Sequence, residues 1–316
     1  MQFFIGTSGY DYPEWKGEFY PQDLKRADFL SFYAQHFNAL ELNFSFYGMP
    51  MPEKMLSFYD RTDGKVNFSV KANQLLTHKI AQDWETHAQA FKVAVNPLLE
   101  KNVLGALLFQ FPESFHYTND NRYYLAKLIQ AFEGFPVVIE FRHKEWVRES
   151  VIAGLEKMKA SLCFCDMPRL KNLPNNLMSS SEGEGTGSLC AVPFIGDLAY
   201  IRLHGRNADA WYAVLRESDS DEADGADAGS MLAATNTNGS NGSVGASPKG
   251  NGSNGSARYR YDYSADELSQ FVPVINEAMN VGKKVHVYFN NHPCGFGAKN
   301  AQLLKSMVEL SNLQLV

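Results

Sequence analysis

The sequence predicts a (β/α)8 barrel of TIM type, an α/β fold in which one parallel sheet closes on itself inside a ring of helices. Two observations predict it. Short β-branched or aromatic runs alternate with helix-period runs, and the alternation recurs eight times along the chain. Several strand-like runs also end in charged residues, as expected where parallel strands carry polar groups to the C-terminal mouth of a barrel. A chain of 316 residues, 45% of them hydrophobic, suits a single large core of this kind. A doubly wound open sheet is the rival arrangement, and the number of strands favours the barrel.

Taken in order, residues 3–7 read as the first strand. Residues 24–36 read as its helix, because Leu24, Phe29, Leu30, Phe32 and Tyr33 fall near helical spacing. Residues 39–43 and 52–61 form the second pair, with Pro52 at a helix start that tolerates it. The third pair is 67–72 and 84–100, and the fourth is 104–110 and 121–133. Pro136 then opens a β-branched run, 137–142, on which Glu140 and Arg142 share one face while Ile139 and Phe141 share the other. Its helix is 145–159, and residues 161–166 make the sixth strand, followed by an irregular region. Residues 199–204 with 265–279, and 284–290 with 299–310, close the series.

Residues 218–257 break this rhythm. They are acidic first, then rich in Asn, Gly and Ser, with almost no aromatic or branched side chains. Such a segment cannot bury enough apolar surface to offset its ordering entropy. The expectation is a disordered insertion between the seventh strand and its helix, with 1–217 and 258–316 forming one barrel domain. Residues 179–188 have a similar, shorter composition.

The net charge is −6, but the stretch from Arg216 to Ala257 holds six acids and two bases, so the remainder sits near −2. A global basic field for nucleic acid is absent, which leaves room for a local basic pocket. Cys163, Cys165, Cys190 and Cys294 include no CxxC pair, so reduced thiols are expected rather than a zinc ribbon. The start has no basic region with a cleavage site, and no apolar run is long enough to span a bilayer. These features predict a cytoplasmic protein with no membrane contact.

Several short motifs, taken together and in order, carry a resemblance. They are Gly6-Thr7-Ser8-Gly9, Trp15-x-Gly17-x-Phe19-Tyr20-Pro21, Glu41-Leu42-Asn43 with Phe46-Tyr47, and Val70-Lys71-Ala72 with Thr77-His78. Further on come Glu140-Phe141-Arg142, Asp166-x-Pro168, Tyr200-x-Arg202-Leu203-His204-Gly205 and Phe289-Asn290-Asn291. The chain resembles the domain-of-unknown-function-72 (YecE-like) family from end to end, outside the two insertions. That resemblance implies a TIM-type barrel and brings no settled activity. Tyr10, where the family pattern has Trp, and Phe44, where it has a small polar residue, depart from it and concern loop contacts.

Strand parity places Glu41, Asn43, Lys71, Gln110, Glu140, Arg142, Asp166, Arg202, His204 and Asn290 on inner faces near the mouth. A satisfied ion network would need no substrate, yet buried pairs add little stability over apolar replacements, so this layer suggests a ligand. Glu140 and Asp166, on adjacent strands, would serve as a general acid/base pair or as hard ligands for a divalent metal, which His204 would complete. Alternatively, Glu140 pairs with Lys71 or Arg202. Lys71 reads as a Schiff-base nucleophile or as a plain cation. No cofactor or metal is assigned by the sequence. The turn through Asn290, Asn291, Gly295 and Gly297 opens a helix, where phosphate often binds in barrels. With Lys71, Arg142 and Arg202 across the mouth, it points to a small anionic substrate: phosphorylated, nucleotide or sugar-like. The aromatic loops around Tyr10, Tyr12, Trp15, Phe19, Tyr20, Phe46, Tyr47 and Trp211 read as a lid, with Trp15 and Tyr47 as candidate substrate contacts. Two functions follow: an enzyme using carboxylate acid/base groups, or a non-catalytic module binding nucleic acid or a partner.

Overall fold

The protein's structure, a computed structural model, describes residues 3–174, 194–212 and 254–313. The predicted insertion at 179–188 and most of the one at 218–257 lie outside the described residues. Eight parallel strands close in sequence order: β1 (Phe3–Ser8), β2 (Ala39–Leu42), β3 (Asn67–Lys71), β4 (Leu104–Phe111), β5 (Val137–Phe141), β6 (Ser161–Asp166), β7 (Leu198–Leu203) and β8 (Lys284–Phe289). β8 pairs with β1 through Phe3↔Val285 to Thr7↔Phe289, which completes the barrel.

Period-two alternation splits the apolar residues into two sets. Outward residues such as Leu40, Phe68, Phe109, Ile139, Phe164, Ile201 and Val287 pack against the helices in the main core. Inward residues Ala39, Ala106, Leu108, Val138, Cys163, Cys165, Tyr200 and Tyr288 fill the barrel as a separate cluster. Gly105 lies where the β3–β4 register shifts by one residue; a Cβ there would stand 2.1 Å from Asn67 Oδ1 and 2.8 Å from the His286 ring. A glycine is needed because His286, stacked on Phe4 at 4.7 Å, occupies that floor.

The helices include α1 (Phe29–Tyr33), α2 (Phe44–Tyr47), α3 (Pro52–Arg61), α4 (Trp84–Glu100), α5 (Asn119–Ala131), α6 (Glu149–Lys157), α7 (Ala208–Trp211), α8 (Ala265–Ser269), α9 (Phe271–Asn280) and α10 (Phe296–Leu313). Three differ from the sequence reading, among them residues 145–159, which form a 3-10 turn, Lys144–Trp146, and the shorter α6. Residues 24–36 form only a 3-10 turn and the short α1. The predicted helix 265–279 breaks at Gln270, because Pro273 has no N–H to give the Ser269 carbonyl one turn earlier. A capping box of Ser264 and Glu267 starts α8. No helix of the described residues is long and apolar enough to cross a membrane.

Two aromatic clusters fix the mouth loops. Tyr12 stacks on His292 at 4.6 Å, and Trp15 donates from Nε1 to the His292 carbonyl at 2.8 Å, tying the loop after β1 to the loop after β8. On the other side Phe111, Phe115, Trp146 and Phe141 stack in series, and Trp146 Nε1 donates to the Phe115 carbonyl at 2.6 Å. That second cluster locks the loops after β4 and β5 together.

Candidate functional site

The barrel interior changes character from floor to mouth. Tyr288 and Ser69 share a hydrogen bond of 2.9 Å in the neutral middle, and the charged layer lies above them. Arg202, wholly buried, is its centre: NH1 donates to Glu140 Oε2 and NH2 to Glu41 Oε1, each at 2.7 Å. Glu41 also accepts from Ser8 Oγ at 2.7 Å and from the Tyr200 hydroxyl at 2.9 Å. Glu140 Oε1 accepts from Arg142 Nε at 2.5 Å, so one carboxylate bridges two guanidiniums. Glu140 and Glu41 stand at the ends of β5 and β2, and this parity brings both to the guanidinium from β7.

Burial alone would raise the Glu140 carboxyl, but Arg142, Arg202 and His204 outweigh it and hold it well below the usual carboxylate range. Arg202 shows the mirror image: burial opposes its charge, and Glu140 and Glu41 more than restore it. His204 is pushed down to about 3 by burial and by the positive charges of Arg142 and Arg202, so its ring is neutral. Its Nε2 lies 3.3 Å from Arg142 NH2 and 3.7 Å from Glu140 Oε1, and its Nδ1 faces the Asn290 amide nitrogen at 3.0 Å.

Lys71 sits over the Phe46 ring at 4.4 Å, and Tyr47 packs edge-on against Phe46 at 5.1 Å. Phe46 also meets the His78 ring at 4.7 Å. Arg142 lies 6.0 Å from the Trp211 ring centroid, under a roof that Tyr259 shares. The Gln110 amide turns to its neighbour's carbonyl on Phe111 at 3.0 Å. Two buried polar atoms of the layer, Arg202 Nε and Asn43 Oδ1, have no hydrogen-bond partner among the described residues. Asn43 and Glu41 line a small cleft with Gly9, Tyr10, Asp11 and Tyr12.

The structure therefore gathers Glu41, Lys71, Glu140, Arg142, Arg202, His204 and Asn290 at the inner mouth. It does not bring Asp166 beside Glu140, as parity reading from the strand end had it. Cys165, not Asp166, pairs with inward Arg202, whereas Asp166 pairs with outward Leu203. Asp166 instead accepts from Arg206 Nε at 2.9 Å and from the Tyr263 hydroxyl at 2.7 Å, and Arg206 reaches on to Glu267 at 3.1 Å. This is a clasp between β6, the loop after β7 and α8. The Glu140–Asp166 acid/base or metal pair is thereby corrected.

Other placements depart from the expected contacts. Trp15 is 0% exposed and braces the loops, so it presents no ring to a substrate. Asn291 is buried too, donating to the Tyr261 carbonyl at 2.8 Å and to Asn300 Oδ1 at 2.7 Å, which moors α10. A Cβ on Gly295, whose φ is +71°, would stand 2.9 Å from Glu18 Cβ, and one on Gly297 would rest 3.6 Å from the Asn291 backbone. Gly295 thus makes room for the acidic Glu18 side chain, whereas a side chain at Gly297 would make only ordinary contact. A cluster the parity reading passed over is His116, His143 and Glu145 at the rim, whose ligand atoms lie within 4.8 Å of one another. Two of them were visible in sequence as the alternation Arg142-His143-Lys144-Glu145 that ends the β5 run.

Comparison with known proteins agrees with this architecture. Residues 4–315 match the family described as protein of unknown function DUF72. The chain is 25% identical over 322 residues to the UPF0759 protein YunF of Bacillus subtilis (strain 168), a match covering 98% of this chain and 95% of that one. A DUF72 family protein of known structure from Thermotoga maritima is 27% identical, with a TM-score of 0.74 over 98% of this chain and all of the other. Another, from Enterococcus faecalis V583, is 21% identical with a TM-score of 0.70 over 97% and 95% of the two chains, a likeness of fold. With the family matched across nearly its whole length and the eight-stranded barrel in place, the chain belongs to the DUF72 family of proteins of unknown function.

Proposed function

We propose that the barrel mouth binds a small anionic ligand, phosphorylated, nucleotide or sugar-like, against Arg142 and Lys71. One observation carries the reading: the buried Glu140 carboxylate is shared by the Arg142 and Arg202 guanidiniums, which fixes two guanidiniums side by side at the inner mouth. Guanidiniums fixed in this way bind a ligand carboxylate or phosphate in two-pronged geometry. In this reading Glu41 and Glu140 are positioning residues for the arginines.

If the ligand is turned over, the layer offers electrostatic stabilisation of developing negative charge by preorganised cations. Glu140, held ionised, lacks the proton a general acid must give at neutral pH. His204, kept neutral by burial and by the positive charges of Arg142 and Arg202, is a weak base. Those two depressed proton affinities support the second reading, a non-catalytic binder with the same mouth. The buried aromatic rings of Trp15, Tyr20 and Tyr33 favour a small ligand over stacking of a nucleic-acid strand.

The test is thermal unfolding in a series of phosphate, phosphate esters and carboxylates at matched ionic strength. A ligand at 100 times its Kd should stabilise the wild type by about 2.7 kcal/mol. Arg142→Gln and Lys71→Met should lose most of that response. An equal response in wild type and both variants refutes the site. Turnover of a stabilising ligand then separates enzyme from binder.

A further inference from the structure

We propose that His116, His143 and Glu145 form a binding site for a divalent transition metal of the zinc class, at the rim of the mouth between the loops after β4 and β5. It stands apart from the anion reading, since none of its ligands belongs to the charged inner layer. Two of the three ligand spacings match those of a filled site. Glu145 Oε2 lies 3.2 Å from His116 Nδ1 and 3.6 Å from His143 Nδ1. Ligand atoms of a tetrahedral zinc, with bonds of about 2.0–2.2 Å, stand about 3.3–3.6 Å apart. The two imidazole rings face each other edge to face at 4.7 Å.

The protein also prepares each ligand. His143 is fixed at the start of the 144–146 turn, where its Nδ1 accepts the Glu145 backbone N–H at 3.2 Å, and a metal on Nδ1 would replace that bond. Glu145 is placed by the Tyr117 backbone N–H, which donates to Oε2 at 3.2 Å. The loops themselves are rigid here, because the Phe115–Trp146 stack and the Trp146–Phe115 hydrogen bond clamp them within a residue or two of the ligands. Two imidazoles and one carboxylate suit zinc, cobalt or nickel rather than calcium or magnesium, which prefer oxygen. Three protein ligands leave a position open, the pattern of a catalytic rather than a structural site. His116 and His143 also line an open cleft of about 600 Å³ with Glu113, Lys171, Asn172 and Tyr212, large enough for a small substrate.

One other group of potential ligands lies close together among the described residues, Glu140 with Cys163 and Cys165. Its carboxylate is already claimed by two arginines, and burial and the neighbouring Cys165 push the Cys163 thiol up, against the thiolate a metal needs.

The experiment titrates Co2+ into untagged, metal-stripped protein and follows the visible d–d absorption. The expected result is one equivalent bound without thiolate-to-cobalt charge transfer, and binding weakened more than about tenfold by His116→Ala and by Glu145→Gln. His116 is exposed, so His116→Ala should melt with the wild type when no metal is present, and the comparison does not depend on the buried His143. Absent binding, a thiolate charge-transfer band, or unchanged affinity in His116→Ala overturns the site.

Discussion

Glu140→Gln is the substitution on which the charged layer can be judged. It preserves size and removes one negative charge from a carboxylate that holds Arg142 Nε at 2.5 Å and Arg202 NH1 at 2.7 Å. Charge-assisted hydrogen bonds contribute about 1.5–3 kcal/mol each, and breaking a buried ion pair costs about 3–5 kcal/mol. Glutamine keeps one acceptor oxygen but turns an N–H2 group towards a guanidinium that also only donates. The loss should therefore fall at about 3–5 kcal/mol, a large part of a typical domain's stability. Urea unfolding at pH 7, followed by tryptophan fluorescence, reads it directly. Because Glu140 and Arg142 act on one another, Arg142→Met added to Glu140→Gln should cost less than Arg142→Met alone, with a coupling of about 0.5–3 kcal/mol. A Glu140→Gln protein within about 0.5 kcal/mol of wild type would refute the reasoning, because that is the range of an inconsequential surface change.

Three further outcomes follow from the same structure. His204 and His286 are both buried and pushed down to about 3, so as pH falls below about 6.5 the unfolded chain takes up their protons first and stability is lost. Between pH 7 and pH 5 each should remove about 2 kcal/mol, and His204→Gln should remove roughly half of that pH dependence; a flat profile over this range contradicts the assignment. Asp166→Asn should lower stability by about 2–3 kcal/mol through the Arg206–Tyr263 clasp while leaving the response to anions intact, and a lost anion response would return Asp166 to the site. Excising residues 218–250 should leave the melting temperature nearly unchanged, as their composition predicts, and a cooperative loss of folding would contradict it.

The barrel was legible because its signal is repeated. Each strand is a short apolar run with a two-residue period, and residues 161–166 were placed to the residue. The shorter elements were not, because their ends depend on local bonds. Pro273 splits what periodicity alone reads as one helix, and the loop between β1 and α1 is held by aromatic stacking that has no sequence period. The inner layer was legible for the same reason as the strands: Glu140, Arg142, Arg202 and His204 stand two apart on two strands. Asp166 failed because being last in a strand says nothing of which face it takes, and its neighbour Cys165 holds the inward register. Trp15 and Asn291 lie in loops, where parity gives no direction, and the fold turned both inward as braces. The rim cluster was hidden because His116 comes from a different loop from His143 and Glu145; the Phe115–Trp146 stack that joins those loops is a tertiary event.

The proposed function places a small anion against the Arg142–Glu140–Arg202 layer. The most direct test is a phosphate titration of protein labelled with 15N-arginine, following side-chain Nε–Hε signals assigned through Arg142→Gln. The Arg142 signal should move saturably, with Arg202 following because it shares Glu140 and its buried Nε has no hydrogen-bond partner among the described residues. The midpoint should match that of the thermal stabilisation. Arg142 and Arg202 signals that stay fixed while other arginines shift would contradict the claim.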